Sequence, residues 1–490
     1  MKINNIPQVN LLKAHLGATS KENKKSNKIT KNFCNLPGYN SSICFHPSFC
    51  CSIISSANSP AENADKYILK QQSESPLYAF DESKKENWLP EGYKGVFNGQ
   101  QTNIIGMGNI FKEIFNMQEI FDLYFRERKN INAYDPKLLE DGADQEGYNV
   151  LPNFESIESG SAFILTPNRF HVDQVEALSK KENLDGVYVE KPMCTTEEEL
   201  ERLKKIVQTS KTPLYFGDYF YFAQIPALRL MGVDMPYKDS VCIEFDNSAN
   251  KKFTNSIENA IPFFKPEEIS SINTRFREEG IGLDGRDMPN TRTGGGGILL
   301  DMQIHVSNLL NLMGLELNEV TEVIAKKHPC GPARGKSSLI PLEEGDAEDG
   351  VIIKGKINGS INVTFDVAQY MDERANTIII ESKNGQKIKI TVDDFEKKVE
   401  LLDENDNTIA CAKLNVKSYG LMIHHAQTFF NEESAKKATK MNDNKTPGIN
   451  SSKNKNEAPM PAMFFDTQEK TLKQIFEIIK IIDKQNQESC

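Results

Sequence analysis

The sequence predicts an α/β chain in which a doubly wound parallel sheet is followed by an α+β domain with a mostly antiparallel, open sheet. Three observations carry this reading. Between 102 and 216, short apolar runs alternate with stretches of helical periodicity, as in parallel strands joined by crossover helices. From 319 to 402, strand-like segments follow one another directly, and Asn358-Gly359 and Asn384-Gly385 supply hairpin signals between them. The 490 residues also exceed what one hydrophobic core usually organises.

Taken in order, residues 1–98 read as a low-complexity, largely disordered extension. The first 60 residues hold seven lysines, no arginine and one acid (Glu22) among many Asn and Ser, a bias that resists core formation. No apolar run follows Lys2, so a signal peptide is not indicated. A nucleotide-binding α/β domain is expected over 99–216. Its strands are Asn103-Ile104-Ile105, Ile131 to Tyr134, Ser161 to Leu165 and Gly186 to Val189. A helix is expected through Phe111, Ile114, Phe115 and Ile120, and another ends near Ala177. Thr195-Thr196-Glu197-Glu198 opens a further helix with a capping hydroxyl and acids in the first turn.

The second domain is expected over 217–431 and 458–490. It holds a helix at 298–313, strands at 319–325, 350–356, 359–368, 376–381, 386–392 and 398–402, and a closing helix at 467–484. The Lys, Asn, Ser and Pro-rich stretch 432–457 reads as a disordered insertion.

Composition narrows the function classes. With 38% hydrophobic and 26% charged residues and a mean hydropathy of −0.49, the chain is that of a soluble globular protein. A net charge of −11 argues against a general nucleic-acid binder. No stretch approaches 18 apolar residues, so no membrane span is expected. The nine cysteines contain no CxxC pair, which points to a reduced, cytoplasmic protein without a disulfide framework. The seven histidines include no HExxH or similar spacing, and no metal site is expected.

Four constellations carry chemistry. Gly106-x-Gly108 directly after a strand is the front half of a dinucleotide fingerprint, in which backbone N–H groups approach a pyrophosphate at a helix N-terminus. Phe111 stands where the third small residue belongs. Asp135, at the end of the second strand, is placed to accept from ribose hydroxyls, or else simply forms a turn before Pro136. Thr166-Pro167-Asn168-Arg169-Phe170-His171 and Glu190-Lys191-Pro192 both follow strands and belong on the carboxyl edge of the sheet, where open α/β sheets bind ligands. A turn of unusual shape, conceivably cis, is suggested at Pro192. Finally, Asp301, His305 and Asn308 recur at i, i+4 and i+7 on an otherwise apolar helix opened by Gly294-Gly295-Gly296-Gly297 and closed by Gly314. Such a stripe faces a cleft or, in the plainer reading, is a surface Asp–His pair. A carboxylate one turn before a histidine can orient the ring as a base.

In combination, Ile-Leu-Thr166-Pro167-Asn168-x-x-His171, Glu190-Lys191-Pro192 and Gly-Gly-Gly-x-Leu-x-Asp301-x-x-x-His305 resemble the glucose–fructose oxidoreductase / inositol dehydrogenase (Gfo/Idh/MocA) family over about 102–430 and the final helix. The resemblance implies a Rossmann domain binding NAD, with NADP as the alternative, and hydride transfer between nicotinamide and a sugar, cyclitol or related hydroxy or keto compound. Asp135 favours NAD, because a carboxylate repels a 2′-phosphate. The resemblance makes Lys191, Asp301 and His305 the catalytic group, with Asp301 orienting His305. It assigns Gly106, Gly108, Asn109, Ile110, Asp135, Thr166, Pro167, Asn168, His171, Glu190 and Pro192 to the cofactor. Tyr219, Gln303 and Asn308 fall on the substrate wall, where this chain departs from the family pattern. A small-molecule partner and a homo-oligomer built on the open face of the second sheet are implied, with no nucleic acid and no membrane. The alternatives are a non-catalytic nucleotide or sugar sensor on the same fold and an NAD-dependent glycosidase.

Overall fold

The computed structural model describes residues 101–111 except 109, 131–136, 148–233, 235, 243–244, 261–279, 297–326, 347–348, 350–371, 375–392, 397–414, 418–443 and 459–488. The expected extension 1–98, Asn109, most of the first expected helix and residues 444–457 lie outside them. The described residues all fall within a single compact unit.

The first sheet is built from β1 (Thr102–Ile105), β2 (Ile131–Tyr134), β3 (Asn149–Val150), β4 (Gly160–Ile164), β5 (Leu184–Val189) and β6 (Leu214–Phe216). All of its pairings are parallel, in the order β6-β5-β4-β1-β2-β3. Strands β1 and β4 are buried along their whole length, which is why they read as continuous apolar runs without alternation. One polar ladder crosses the otherwise apolar layer: Asn149 donates to Asn132 (2.7 Å), Asn132 to Asn103 (2.7 Å), and Asn103 to the Ser161 carbonyl (3.1 Å). Each buried amide thereby finds a partner that water would otherwise provide. Helices α1 (His171–Ser179) and α2 (Glu197–Thr209) follow β4 and β5. The Thr196 hydroxyl accepts from Glu199 N (3.1 Å), the cap expected from the sequence. Short α3 (Tyr219–Ala223) and α4 (Ile225–Leu230) leave the end of β6.

The second sheet has nine strands: β7 (Ile243–Glu244), β8 (Ile269–Glu279), β9 (Leu317–Lys326), β10 (Gly350–Ile357), β11 (Ile361–Met371), β12 (Ala375–Ser382), β13 (Lys387–Val392), β14 (Lys397–Leu402) and β15 (Thr408–Leu414). Their order is β7-β15-β14-β13-β12-β8-β11-β10-β9, and only β8 with β11 is parallel. Residues alternate between buried and half-buried along β12 and β13, so one face packs inward. The β10–β11 turn has positive φ at both Asn358 (49°) and Gly359 (73°), the conformation for which Asn-Gly is selected.

Three further helices follow: α5 (Ile304–Leu312) and α7 (Phe465–Glu488) pack on one another and α7 also reaches β9, whereas α6 (Ser418–Asp443) packs against β5 of the first sheet and α3. A final strand, β16 (Ala462–Met463), returns to the first sheet and pairs with β6 in parallel. The two sheets share one continuous core, with Phe163, Tyr188, Tyr215 and Phe216 of the first and Ile378, Ile380 and Phe365 of the second fully buried. Among the described residues, no helix is long and apolar enough to cross a membrane.

Two expectations are corrected here. Residues 432–443, expected in a disordered insertion, continue α6, whose Ser434 hydroxyl donates to Asp185 (3.1 Å). Residues 269–279, for which the sequence gives no expected strand, form β8, where Arg277 makes an ion pair with Asp366 of β11 (2.6 Å). Alternating charges on a half-exposed strand face look like a loop when the strand is not recognised.

Candidate active site

The carboxyl ends of β1, β2, β4, β5 and β6 present the residues singled out in the sequence. Gly106 has φ of +89°, and a Cβ built on it would lie 2.9 Å from the Leu165 carbonyl group and from Thr166 N. Only glycine lets β1 turn this close to the end of β4. A Cβ on Gly108 meets nothing within 4 Å, so the second glycine of the turn faces open space. The Gly106 N–H bonds the Tyr134 carbonyl (2.8 Å), and Met107 N donates to the Asp135 carboxylate (2.8 Å). The turn and the acid at the tip of β2 are thus tied together at the edge where a dinucleotide would lie. These residues fit an NAD site: a tight turn, an open approach and a fixed carboxylate. Phe111 packs against Tyr148 in the core (centroids 6.1 Å apart) and is 2% exposed, so a bulky third residue is accommodated beneath the turn.

The next two loops are clipped together by His171. Its ring is fully buried, with Nδ1 against the Pro192 carbonyl (2.9 Å) and Nε2 against that of Thr166 (2.8 Å). Burial lowers its pKa against the pull of the two carbonyls. His171, expected at the cofactor, therefore shapes the Thr166–Asn168 and Glu190–Pro192 loops from behind. The Thr166 hydroxyl is bonded to Gln174 (2.7 Å), Pro167 is exposed, and Asn168 is buried. The Lys191–Pro192 peptide is cis. Glu190 accepts from the Tyr188 hydroxyl (2.5 Å) and from Lys191 N (3.1 Å), and burial pushes its carboxyl up to about 7.

Lys191 reaches from the end of β5 to the helix of the second domain. Its Nζ donates to the Asp301 main-chain carbonyl (2.9 Å) and to the Asp301 carboxylate (3.2 Å). Burial alone would lower the lysine's pKa, but Asp301, Glu190 and Asp218 together outweigh it and raise it. The side chain is held as an ammonium. Asp301 itself lies in a wide π-turn, Leu299–Gln303, that precedes α5. The segment is anchored by Glu348, whose carbonyl accepts from Ile298 N (3.1 Å) and whose carboxylate accepts from Leu299 N (3.4 Å), a favourable charge at a helix N-terminus.

His305 is 5% exposed, in the first turn of α5. Its Nδ1 partner is the Asp218 carboxylate (2.8 Å), which the sequence reading did not select. The expectation that Asp301 orients His305 is corrected by this contact. Positions i and i+4 share a face only where 3.6 residues make each turn, and the π-turn breaks that period between the two residues. Asp218 caps α3 through Phe220 N (2.9 Å) and accepts from Asn308 Nδ2 (2.8 Å). Burial works against its charge, yet these donors and His305 lower its pKa overall. Asn308, expected on the substrate wall, is fully buried and serves the carboxylate instead. Gln303 is also turned inward, with Nε2 bonded to the Ser307 hydroxyl (2.8 Å). Tyr219 remains half-buried beside His305 (centroids 5.1 Å apart) and stacks on Tyr419 of α6 at 4.4 Å. Phe220 also packs on the imidazole (5.5 Å).

Comparison with known proteins bears on what this edge is. Residues 101–217 match the Gfo/Idh/MocA family, described as an oxidoreductase family with an NAD-binding Rossmann fold. The Rossmann domain belongs to that family. The NAD-binding type of the domain follows from the same match. The whole fold is similar to that of a levoglucosan dehydrogenase in complex with NADH and L-sorbose, at 15% identity and a TM-score of 0.51, covering 79% of this chain and 97% of that one. It is also similar to an aldose-aldose oxidoreductase from Caulobacter crescentus complexed with glycerol, at 14% identity and a TM-score of 0.50, covering 78% and 97% of the two chains. At these identities the likeness is one of fold. No curated protein matches the chain by sequence. Among the described residues, no group of three or more His, Cys, Asp and Glu could hold a metal ion.

Proposed function

We propose that the chain is an NAD-dependent dehydrogenase or reductase acting on a CH–OH group of a sugar, cyclitol or related hydroxy compound. One observation carries this reading: a half-buried ammonium, Lys191, and a buried imidazole, His305, lie at the carboxyl edge of an NAD-binding sheet. Lys191 is bonded to Asp301, which precedes His305 by four positions in the chain. Gly106, Gly108 and Asp135 would hold the dinucleotide, and the Thr166–Asn168 loop lies beside them at the end of β4.

NAD supplies the hydride acceptor when bound. The protein's part is proton transfer and positioning. His305 accepts the proton of the substrate hydroxyl as a general base, and returns it in the reverse direction. Lys191, already a cation, cannot serve as that base. Its ammonium donates to the reacting oxygen and stabilises the negative charge that develops there. Asp301 holds the lysine in place, and the Tyr219–Tyr419 stack walls the substrate side of the imidazole. A polyol suits this setting, because a polar ring can hydrogen-bond to the ammonium and lie against an aromatic face.

The test is titration of the protein with NAD and NADP by fluorescence or calorimetry, followed by a screen of polyols for NADH production. NAD binding with substrate-dependent NADH is expected. His305→Ala should abolish turnover and leave NAD affinity nearly unchanged. Absence of binding to either nucleotide would overturn the reading.

A further inference from the structure

We infer that Asp218, supported by Asn308, is the positioning residue for the His305 base. This rests on the dehydrogenase reading for its catalytic consequence, but its structural core is independent of it. The Asp218 side chain is fully buried and receives three donors: Phe220 N on Oδ1 (2.9 Å), Asn308 Nδ2 on Oδ2 (2.8 Å) and the His305 ring on Oδ1 (2.8 Å). A carboxylate satisfied in this way is ionised and can only accept. The imidazole nitrogen facing it must therefore carry the hydrogen. His305 is fixed as the Nδ1–H tautomer, with its lone pair on Nε2. That is the nitrogen a base needs free for a substrate hydroxyl.

Three features make this a built arrangement. Asp218 is held by its own role as the N-cap of α3, so the carboxylate cannot rotate without giving up the helix start. Asn308, one turn after His305 on α5, occupies the second oxygen and keeps the acid from drifting off the ring. Phe220 and Tyr219 pack on the imidazole and limit its swing. Asp301 is thereby released to hold Lys191. Two carboxylates thus divide the work, one for the base and one for the cation.

Substituting Asp218→Asn leaves the volume intact but offers the ring an amide in place of a charge. Loss of such a carboxylate lets the imidazole adopt the wrong tautomer, and kcat should fall on the order of 10²- to 10⁴-fold. KM for the polyol and the Kd for NAD should change less than about threefold. Histidine labelled with ¹⁵N in the nucleotide-free protein gives a readout that no general loosening of the fold would move. The signal of His305, assigned by its loss in His305→Gln, should show the Nδ1–H tautomer in the wild type and a mixture or the Nε2–H form in Asp218→Asn. An Nε2–H tautomer in the wild type overturns the inference, even if Asp218→Asn does not fold. So does a variant that keeps the wild-type tautomer and kcat, or one that loses NAD affinity and kcat together. Because the tautomer is read without cofactor or substrate, a protein that shows it yet binds no nucleotide refutes the dehydrogenase reading and not this one.

Discussion

Replacing Glu190 with glutamine should remove a distinct pH dependence of stability. Glu190 is 4% exposed, and burial raises its carboxyl from 4.5 to about 7, against the Tyr188 hydrogen bond and the Lys191 charge that favour ionisation. The folded protein thus keeps a proton that the unfolded chain has released once the pH passes 4.5. The stability tied to this proton is fully present below pH 4.5, declines as the pH rises, and is gone above about 7. A rise from 4.5 to about 7, at ~1.4 kcal/mol per pH unit, corresponds to about 3 kcal/mol. Glutamine mimics the protonated acid, with one acceptor and one donor side, and does not titrate. Thermal unfolding of wild type and Glu190→Gln from pH 4.5 to 8 is the assay. At ~1–2 °C per kcal/mol for a unit of this size, the variant should gain roughly 3–6 °C on the wild type across that window. Melting curves that stay parallel from pH 4.5 to 7.5 would refute the reasoning, because they would mean the carboxylate is ionised in the folded state at no cost.

Two further outcomes are expected. Burial lowers His425 to about 4, with Nδ1 bonded to the Tyr215 hydroxyl (2.8 Å), so its contribution is present above pH 6.5 and lost as the pH falls towards 4. His425→Gln should therefore lose less thermal stability than wild type between those limits, followed by circular dichroism. At Gly186 a Cβ would fall 1.9 Å from the Phe430 ring, which is itself fully buried, so Gly186→Ala should cost about 1–3 kcal/mol or more by overpacking. Urea unfolding should show the loss, and Phe430→Leu in the same chain should recover part of it.

The sheets were legible because their strands carry their signals locally. Runs such as Ser161 to Leu165 and Gly186 to Val189 are apolar on both faces, and all six strands expected between 319 and 402 are present. What escaped were strands whose pairing is distant or whose face is charged. β8 pairs in parallel with β11, whose partners lie some ninety positions along the chain, and its Ser, Asn and Arg residues alternate with Ile272, Thr274 and Phe276. Residues of the candidate site were legible to the extent that they sit at strand ends: Gly106, Asp135, Thr166 and Lys191 each follow an apolar run. Their roles were less so. Whether a polar side chain near the site turns outward, as Tyr219 does, or inward, as Asn308 and Gln303 do, depends on packing from elements far away in sequence. Tyr419 and Glu348 carried no local signal at all.

The pairing of His305 is the instructive case. Helical spacing proposes Asp301 because it assumes that the nearest acid in sequence is the nearest in space. The actual partner is 87 residues away, at the end of β6, and its only local mark is an acid directly after Gly217 at a strand end. The resulting bonds cross the junction between the two sheets in opposite directions. Lys191 extends from β5 to the π-turn before α5, and His305 extends from α5 back to the end of β6. Any rotation of the second domain's helix relative to the first sheet would break both bonds at once, one by pulling Asp301 from the ammonium and the other by pulling the imidazole from Asp218. The relative position of Asp218, His305 and Lys191 is therefore fixed by the same contacts that dock the helix against the sheet edge. That is why a helix displaced from regular geometry at Leu299–Gln303 can still present a well-placed imidazole: the turn before α5 absorbs the irregularity, while Asp218 holds the ring from the end of β6.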